Sequence, residues 1–142
     1  MNKLKFYFFI SLFLFFLENK VVAAENYLAE GKKLFNQKEF LKSKFKFEQD
    51  IVFNPKSEES YLYLAKIFNK EENDDLEEQN LNTVIMLNPK NEEAVYLLAL
   101  LRIKKSDYEE SEMLITNFKK ICKTLCRKKK DLESKLENLQ SQ

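Results

Sequence analysis

Asn54-Pro55-Lys56-Ser57-Glu58-Glu59-Ser60 returns 34 residues later as Asn88-Pro89-Lys90-Asn91-Glu92-Glu93-Ala94, with five of the seven residues identical. The match runs on into Tyr61-Leu62-Tyr63-Leu64-Ala65 against Val95-Tyr96-Leu97-Leu98-Ala99. Each copy reads as one physical event. An apolar helix stops at Asn-Pro, because proline cannot continue the backbone ladder and biases the residue before it away from the helix. Ser57 or Asn91 then caps a new helix, with acids in its first turn facing the positive end of the dipole. Apolar residues follow at helical spacing, Tyr61, Leu64, Ala65 and Phe68 in one copy and Val95, Leu98 and Ala99 in the other.

Working outward, a step of 34 residues back from Tyr61 and Ala65 lands on Tyr27 and Gly31, so an earlier copy opens near Glu25. A large apolar residue is followed one turn later by a small one in Tyr27 with Gly31, Tyr61 with Ala65, and Val95 with Ala99. A second helix carries an aromatic, a small and a bulky residue, as in Phe40, Ser43 and Phe47, and in Tyr108, Ser111 and Ile115. With Pro55 and Pro89 closing the copies, this resembles the tetratricopeptide repeat, a helix pair of 34 residues. The resemblance implies an all-α fold, a short right-handed α-solenoid of three helix pairs over 25–57, 58–91 and 92–125. Three departures stand out. Asp74 and Glu77 occupy the aromatic and small positions of the second copy, Arg102 takes an apolar position in the third, and Lys123 stands where a closing proline belongs.

Residues 126–142 read as a basic linker and a capping helix. Leu132, Leu136 and Leu139 form one apolar stripe, which is expected to cover the open edge of the last repeat, as a short solenoid requires.

The chain's start reads as an address. Lys3 and Lys5 precede the uncharged apolar run Phe6–Leu17, which Glu18, Asn19 and Lys20 end. A membrane-spanning helix needs about 20 apolar residues. The run is shorter, and Val22-Ala23-Ala24 offers small residues for cleavage, so 1–24 is expected to be a signal peptide removed after Ala24. Removal takes away three lysines and one glutamate and leaves a net charge of −1. The mature chain is expected to be exported, to the bacterial periplasm or a comparable compartment, with no stable membrane anchor.

Composition narrows the function. With 142 residues, 33% of them charged and 44% hydrophobic, the chain is long enough for one folded domain. It has no histidine, which excludes a His-based triad and a His-ligated metal. Gly31 is its single glycine, which excludes phosphate-cradling glycine loops. A formal net charge of +1 gives no general attraction to nucleic acid. No enzyme activity, cofactor or metal is expected.

The resemblance assigns the first helix of each pair to a partner-binding groove. Its outward positions are Leu28, Lys32, Phe35 and Asn36, then Leu62, Lys66, Asn69 and Lys70, then Tyr96, Leu100, Ile103 and Lys104. Apolar anchors among lysines suit a protein or peptide partner carrying carboxylates. Each lysine, taken alone, is more readily a solvated surface charge. The acidic run Glu71–Glu78 and the basic run Lys119–Lys130 read as a solvated turn and a helix C-terminus, or else as complementary surfaces for a partner, a membrane surface or self-association. Cys122 and Cys126, four apart, form a disulfide candidate after a slight break in the helix, favoured by export. Free thiols or a thiol-redox pair are the alternatives. The expected function is a protein-binding module, with an envelope assembly or self-associating protein second and a redox factor third.

Overall fold

The structure, a computed structural model, describes residues 26–140, with side chains to residue 138. The expected signal peptide and the side chain of Leu139 lie outside the described residues. Seven α-helices account for almost all of the rest, with no strand among the described residues: α1 over 26–36, α2 Phe40–Phe53, α3 Glu58–Lys70, α4 Asp74–Leu87, α5 Glu92–Lys104, α6 Tyr108–Ile121 and α7 Lys129–Gln140. A 3-10 turn, Cys126–Lys128, leads into α7. The first six helices form sequential antiparallel pairs. No described helix is long and apolar enough to cross a membrane.

The 34-residue period governs the backbone down to single hydrogen bonds. Lys38, Glu72 and Ser106 are the non-glycine residues with positive φ, at 63°, 55° and 59°. Each ends the first helix of its pair. The next residue's N–H then reaches back to the helix, Glu39 to the Leu34 carbonyl, Asn73 to Phe68 and Asp107 to Arg102, at 2.9–3.0 Å. This is a Schellman closure, satisfying carbonyls the helix end leaves open. Asn73, Asn91 and Asp107 then cap α4, α5 and α6, accepting the N–H of Leu76, Ala94 and Glu110. Glu39, at the matching place before α2, makes no side-chain cap. The second helices stop alike, the N–H of Asn54, Asn88 and Cys122 bonding the carbonyls of Asp50, Val84 and Phe118.

The chain divides between Ser60 and Tyr61 into two compact units. In the first, α1 and α2 close on Gly31. Phe47 is fully buried against it, and the buried Ser43 donates its hydroxyl to the Gly31 carbonyl at 2.9 Å. A second buried polar chain runs from Ser57 Oγ to Ser60 Oγ at 3.0 Å, and from Ser60 to Asp50 at 2.5 Å. The Ser57 hydroxyl thus donates into the core of this unit.

In the second unit one cluster joins Leu62, Ala65, Leu81, Val84, Ala94, Leu98 and Leu101. A second joins Val95, Ala99, Ile103, Ile115 and Phe118 to Leu132 and Leu136 of α7. Leu132 is fully buried and Leu136 nearly so. Ala65 and Ala99, at 1% and 0% exposure, are buried in these two clusters.

Candidate functional site

The first helices of the pairs were expected to present a groove. Leu62 and Ile103 do not face outward, being 8% and 4% exposed in the two apolar clusters. The reason is helical geometry, since both sit within one turn of Ala65 or Ala99 on the side that packs. Leu28 and Phe35 are half-buried and Asn36 is exposed on α1.

The lysines at this surface are neither bare cations nor freely solvated. Lys32 pairs with Glu59. Lys66, 34 residues on, pairs with Glu93 at 2.7 Å, with its ammonium 4.8 Å from the centre of the Tyr63 ring. In both cases a lysine of one pair's first helix meets an acid in the first turn of the next first helix, 27 residues later. The next step of the series places Leu100 and Arg127 at the corresponding positions, and the ladder ends.

Asn69 donates from Nδ2 to both oxygens of Glu77, at 3.2 and 3.0 Å. Glu77 is 2% exposed and occupies the position where Ser43 and Ser111 sit fully buried in the other copies. Burial raises its carboxyl above the usual range, against the bond from Asn69, while nearby Asp74 adds to the rise.

The acidic run is paired in part from within the chain, through Asp74 and Glu78, while Glu71, Glu72 and Asp75 stay exposed as a solvated turn would have them. Lys104 bonds Asp74 at 2.6 Å, and Lys105 bonds Glu78 at 2.8 Å. Arg102 is held between Glu78 at 2.6 Å and Glu110 at 2.9 Å, its side chain 12% exposed. An apolar position thus accepts arginine because α4 and α6 bring carboxylates to both sides of it. The Lys105 bond comes first, and Arg102 after it, in holding the Glu78 carboxyl below its ordinary value.

Tyr96 is engaged by α7. Its hydroxyl donates to Asp131 at 3.0 Å, and Lys128 lies 5.4 Å above its ring. Desolvation, then the Asp131 bond, pushes the phenol up to about 12. Leu100 packs at the margin of the same cluster. Lys119 of the basic run pairs with Glu133.

Cys122 and Cys126 stand at disulfide distance and are joined, Cα atoms 5.2 Å apart. The expected break is there, as α6 stops at Ile121 and Cys122 takes φ −59° and ψ 138°. The loop they enclose turns its N–H groups onto Glu92. Lys123, Thr124 and Leu125 donate at 2.6 to 3.2 Å, and the Thr124 hydroxyl adds a fourth donor. That hydroxyl first, then the Lys123 N–H, lowers the Glu92 carboxyl to about 2. No group of residues suited to hold a metal occurs among the described residues.

The intramolecular partners Glu59, Glu93 and Glu92 are contacts of this surface that reading the sequence missed. A signal for the first two existed in the shared spacing of Lys32 to Glu59 and Lys66 to Glu93. Also missed is the outer face of α2, where Leu41, Phe45 and Val52 are 75%, 57% and 74% exposed. Leu41 and Phe45 border a cleft of about 640 Å³ with Leu34, Lys42 and Lys46. The corresponding positions in α4 are Asp75, Gln79 and Met86.

No protein-family profile and no curated protein sequence matches the chain. Solved structures do. The TPR2B domain of yeast Sti1, from its complex with pHsp70, superposes with a TM-score of 0.77 at 17% identity, covering 83% of this chain and 98% of that one. The Yersinia enterocolitica type III secretion translocator chaperone SycD gives 0.75 at 10% identity, over 83% and 86% of the two chains. The C-terminal TPR-containing domain of a Plasmodium falciparum putative FK506-binding protein gives 0.71 at 18% identity, over 88% and 95%. With its helices in sequential antiparallel pairs, this chain has the fold of tetratricopeptide-repeat domains.

Proposed function

We propose that the protein is a non-enzymatic binding module that holds a protein or peptide partner on the first helices of its pairs, and that it works outside the cytoplasm after export. The fold carries this reading. Two of the similar structures are named as a complex with pHsp70 and as a translocator chaperone. The chemistry of the surface supports it. Lys66 lies beside Tyr63, and Lys70 and Lys104 end α3 and α5, a mixture suited to an apolar anchor flanked by carboxylates. Because Glu93 and Asp74 already bond Lys66 and Lys104, a partner's carboxylate enters by exchange. Binding is therefore expected to be modest per contact and sensitive to salt.

Export rests on the basic start, the apolar run Phe6–Leu17 and the small residues Val22-Ala23-Ala24. A paired Cys122 and Cys126 suits an oxidising compartment. A second reading, self-association, is favoured by one observation, the exposed Leu41, Phe45 and Val52 on α2.

Affinity capture of the mature chain from its native envelope fraction, read by mass spectrometry, tests both. The wild type is compared with Lys66→Glu/Lys70→Glu. A partner lost in the variant supports the first reading. A partner held equally by both moves the site off this face. A wild type that captures only itself, and dissociates on Phe45→Asp, supports the second.

A further inference from the structure

We propose that the Cys122–Cys126 disulfide is the helix stop that latches α7 onto the last repeat, and that its reduction by a dithiol releases α7. The inference stands apart from the identity of any partner.

The first two copies stop their second helix with Pro55 and Pro89. The third copy has Lys123 in that place, and no proline or glycine occurs from Tyr108 to the end of the chain. Ile121 to Lys130 is a run of good or tolerable helix formers. Nothing in the local sequence ends α6, yet it ends at Ile121. The bridge accounts for this by holding the Cα atoms 5.2 Å apart and closing a five-residue ring. Cys122 takes ψ 138°, the extended value a residue adopts before proline.

The ring also shapes the loop for its own clasp. The N–H groups of Lys123, Thr124 and Leu125, which a continuing helix would turn back on α6, instead converge on Glu92 at the start of α5. The chain then turns through Cys126–Lys128 and lays Leu132 and Leu136 over Val95, Ile103, Ile115 and Phe118. Once the bridge is gone, continuing α6 competes with this loop, and a straight α6–α7 helix cannot keep Leu132 on that cluster.

The redox step balances. A thiolate of the dithiol attacks one Sγ, and the S–S bond breaks as a mixed disulfide forms. The second thiol resolves it. The reductant leaves as a disulfide, and Cys122 and Cys126 take up two electrons and two protons as thiols.

Amide exchange of the full chain, oxidised and dithiothreitol-reduced, tests this. Exchange over Leu132–Leu136 is expected to quicken at least about tenfold on reduction, while Leu98 and Ala99 hold their protection. Cys122→Ser/Cys126→Ser behaves like the reduced chain without reductant. Adding Lys123→Pro to it restores slow exchange, since proline supplies the missing stop and leaves the Thr124 and Leu125 donors in place. Unchanged exchange over Leu132–Leu136 overturns the latch, as does equal quickening at Leu98 and Ala99, which is global loosening. Failure of proline to restore protection overturns the helix-stop account.

Discussion

The backbone of Gly31 meets the edge of the Phe47 ring so closely that a methyl group on its Cα would stand 2.7 Å from Phe47 Cε1 and 2.9 Å from Cδ1. Phe47 is fully buried and cannot swing aside. Gly31→Ala gains about 1 kcal/mol of helix propensity. It meets overpacking on the order of 1–3 kcal/mol. The variant is expected to be less stable in a urea denaturation curve, and the loss should shrink in Gly31→Ala/Phe47→Leu. Ala65→Leu, at a residue 1% exposed, is expected to cost about 1–3 kcal/mol for the same reason.

Ser106 holds φ at 59° to close the first helix of the third pair, a conformation that strains any residue with a Cβ. A left-handed residue costs roughly 1–2 kcal/mol, part of which glycine returns as extra freedom in the unfolded chain. Ser106→Gly is expected to stabilise by about 0.5–1 kcal/mol. A lowered denaturation midpoint would show that the turn is not strained.

Arg102 reads in the sequence as a defect in an apolar row, but it is the cation between Glu78 and Glu110. Arg102→Met keeps the volume and leaves the acids facing each other. A loss of roughly 1–3 kcal/mol is expected, below the full cost of breaking a buried pair because the glutamates are partly exposed. Its dependence on pH follows from Glu78, whose carboxyl is lowered in the folded state. That stabilisation is present above the unfolded carboxylate value and disappears as pH falls through the folded one. A double-mutant cycle with Glu78→Gln measures the coupling, and a coupling near zero would mean that the pair is ornamental.

Glu77 works in the opposite direction. Its folded value is raised by burial, so its contribution is fully present below the unfolded value and is lost as pH rises through the folded one. Glu77→Gln keeps an acceptor for Asn69 and removes the buried charge. It is expected to stabilise at pH 7 by on the order of 1 kcal/mol. The advantage should vanish as pH falls below the ordinary carboxylate value, where the wild type is itself neutral. Thermal melts at pH 7 and pH 4 decide it, and equal gains at both would assign the effect to packing.

The period and its stops are legible in the sequence because they depend on neighbours along the chain. Asn-Pro ends a helix wherever it stands, Asn91 caps where it stands, and Gly31, Ala65 and Ala99 announce close packing by size alone. The surface chemistry depends on what lies across a helix pair. Lys66 reads as a free cation until Glu93, a full helix pair away, is placed beside it. Tyr96 reads as a groove residue until Asp131, 35 positions on, accepts its hydroxyl. Leu62 and Ile103 were misplaced because the groove face and the core face are separated by less than one helical turn.

Deleting residues 131–142 is expected to uncover the apolar edge of the third pair. A solenoid repeat buries its face only against a neighbour, and α7 is what covers Val95, Ile103, Ile115 and Phe118. Leu132 and Leu136 are the buried members of the stripe read from the sequence. Their loss takes away two leucine burials, worth roughly 1.5–3 kcal/mol each when complete. The bond from Tyr96 to Asp131 and the pair of Lys119 with Glu133 go with them. The exposed patch should also drive association. Light scattering and thermal melts of the two chains measure both effects. A truncated chain that stays monomeric with an unchanged Tm would show that α7 is not a cap. The leucine stripe would then be a contact face for a partner, and Leu132→Asp in the full chain would weaken capture without lowering Tm.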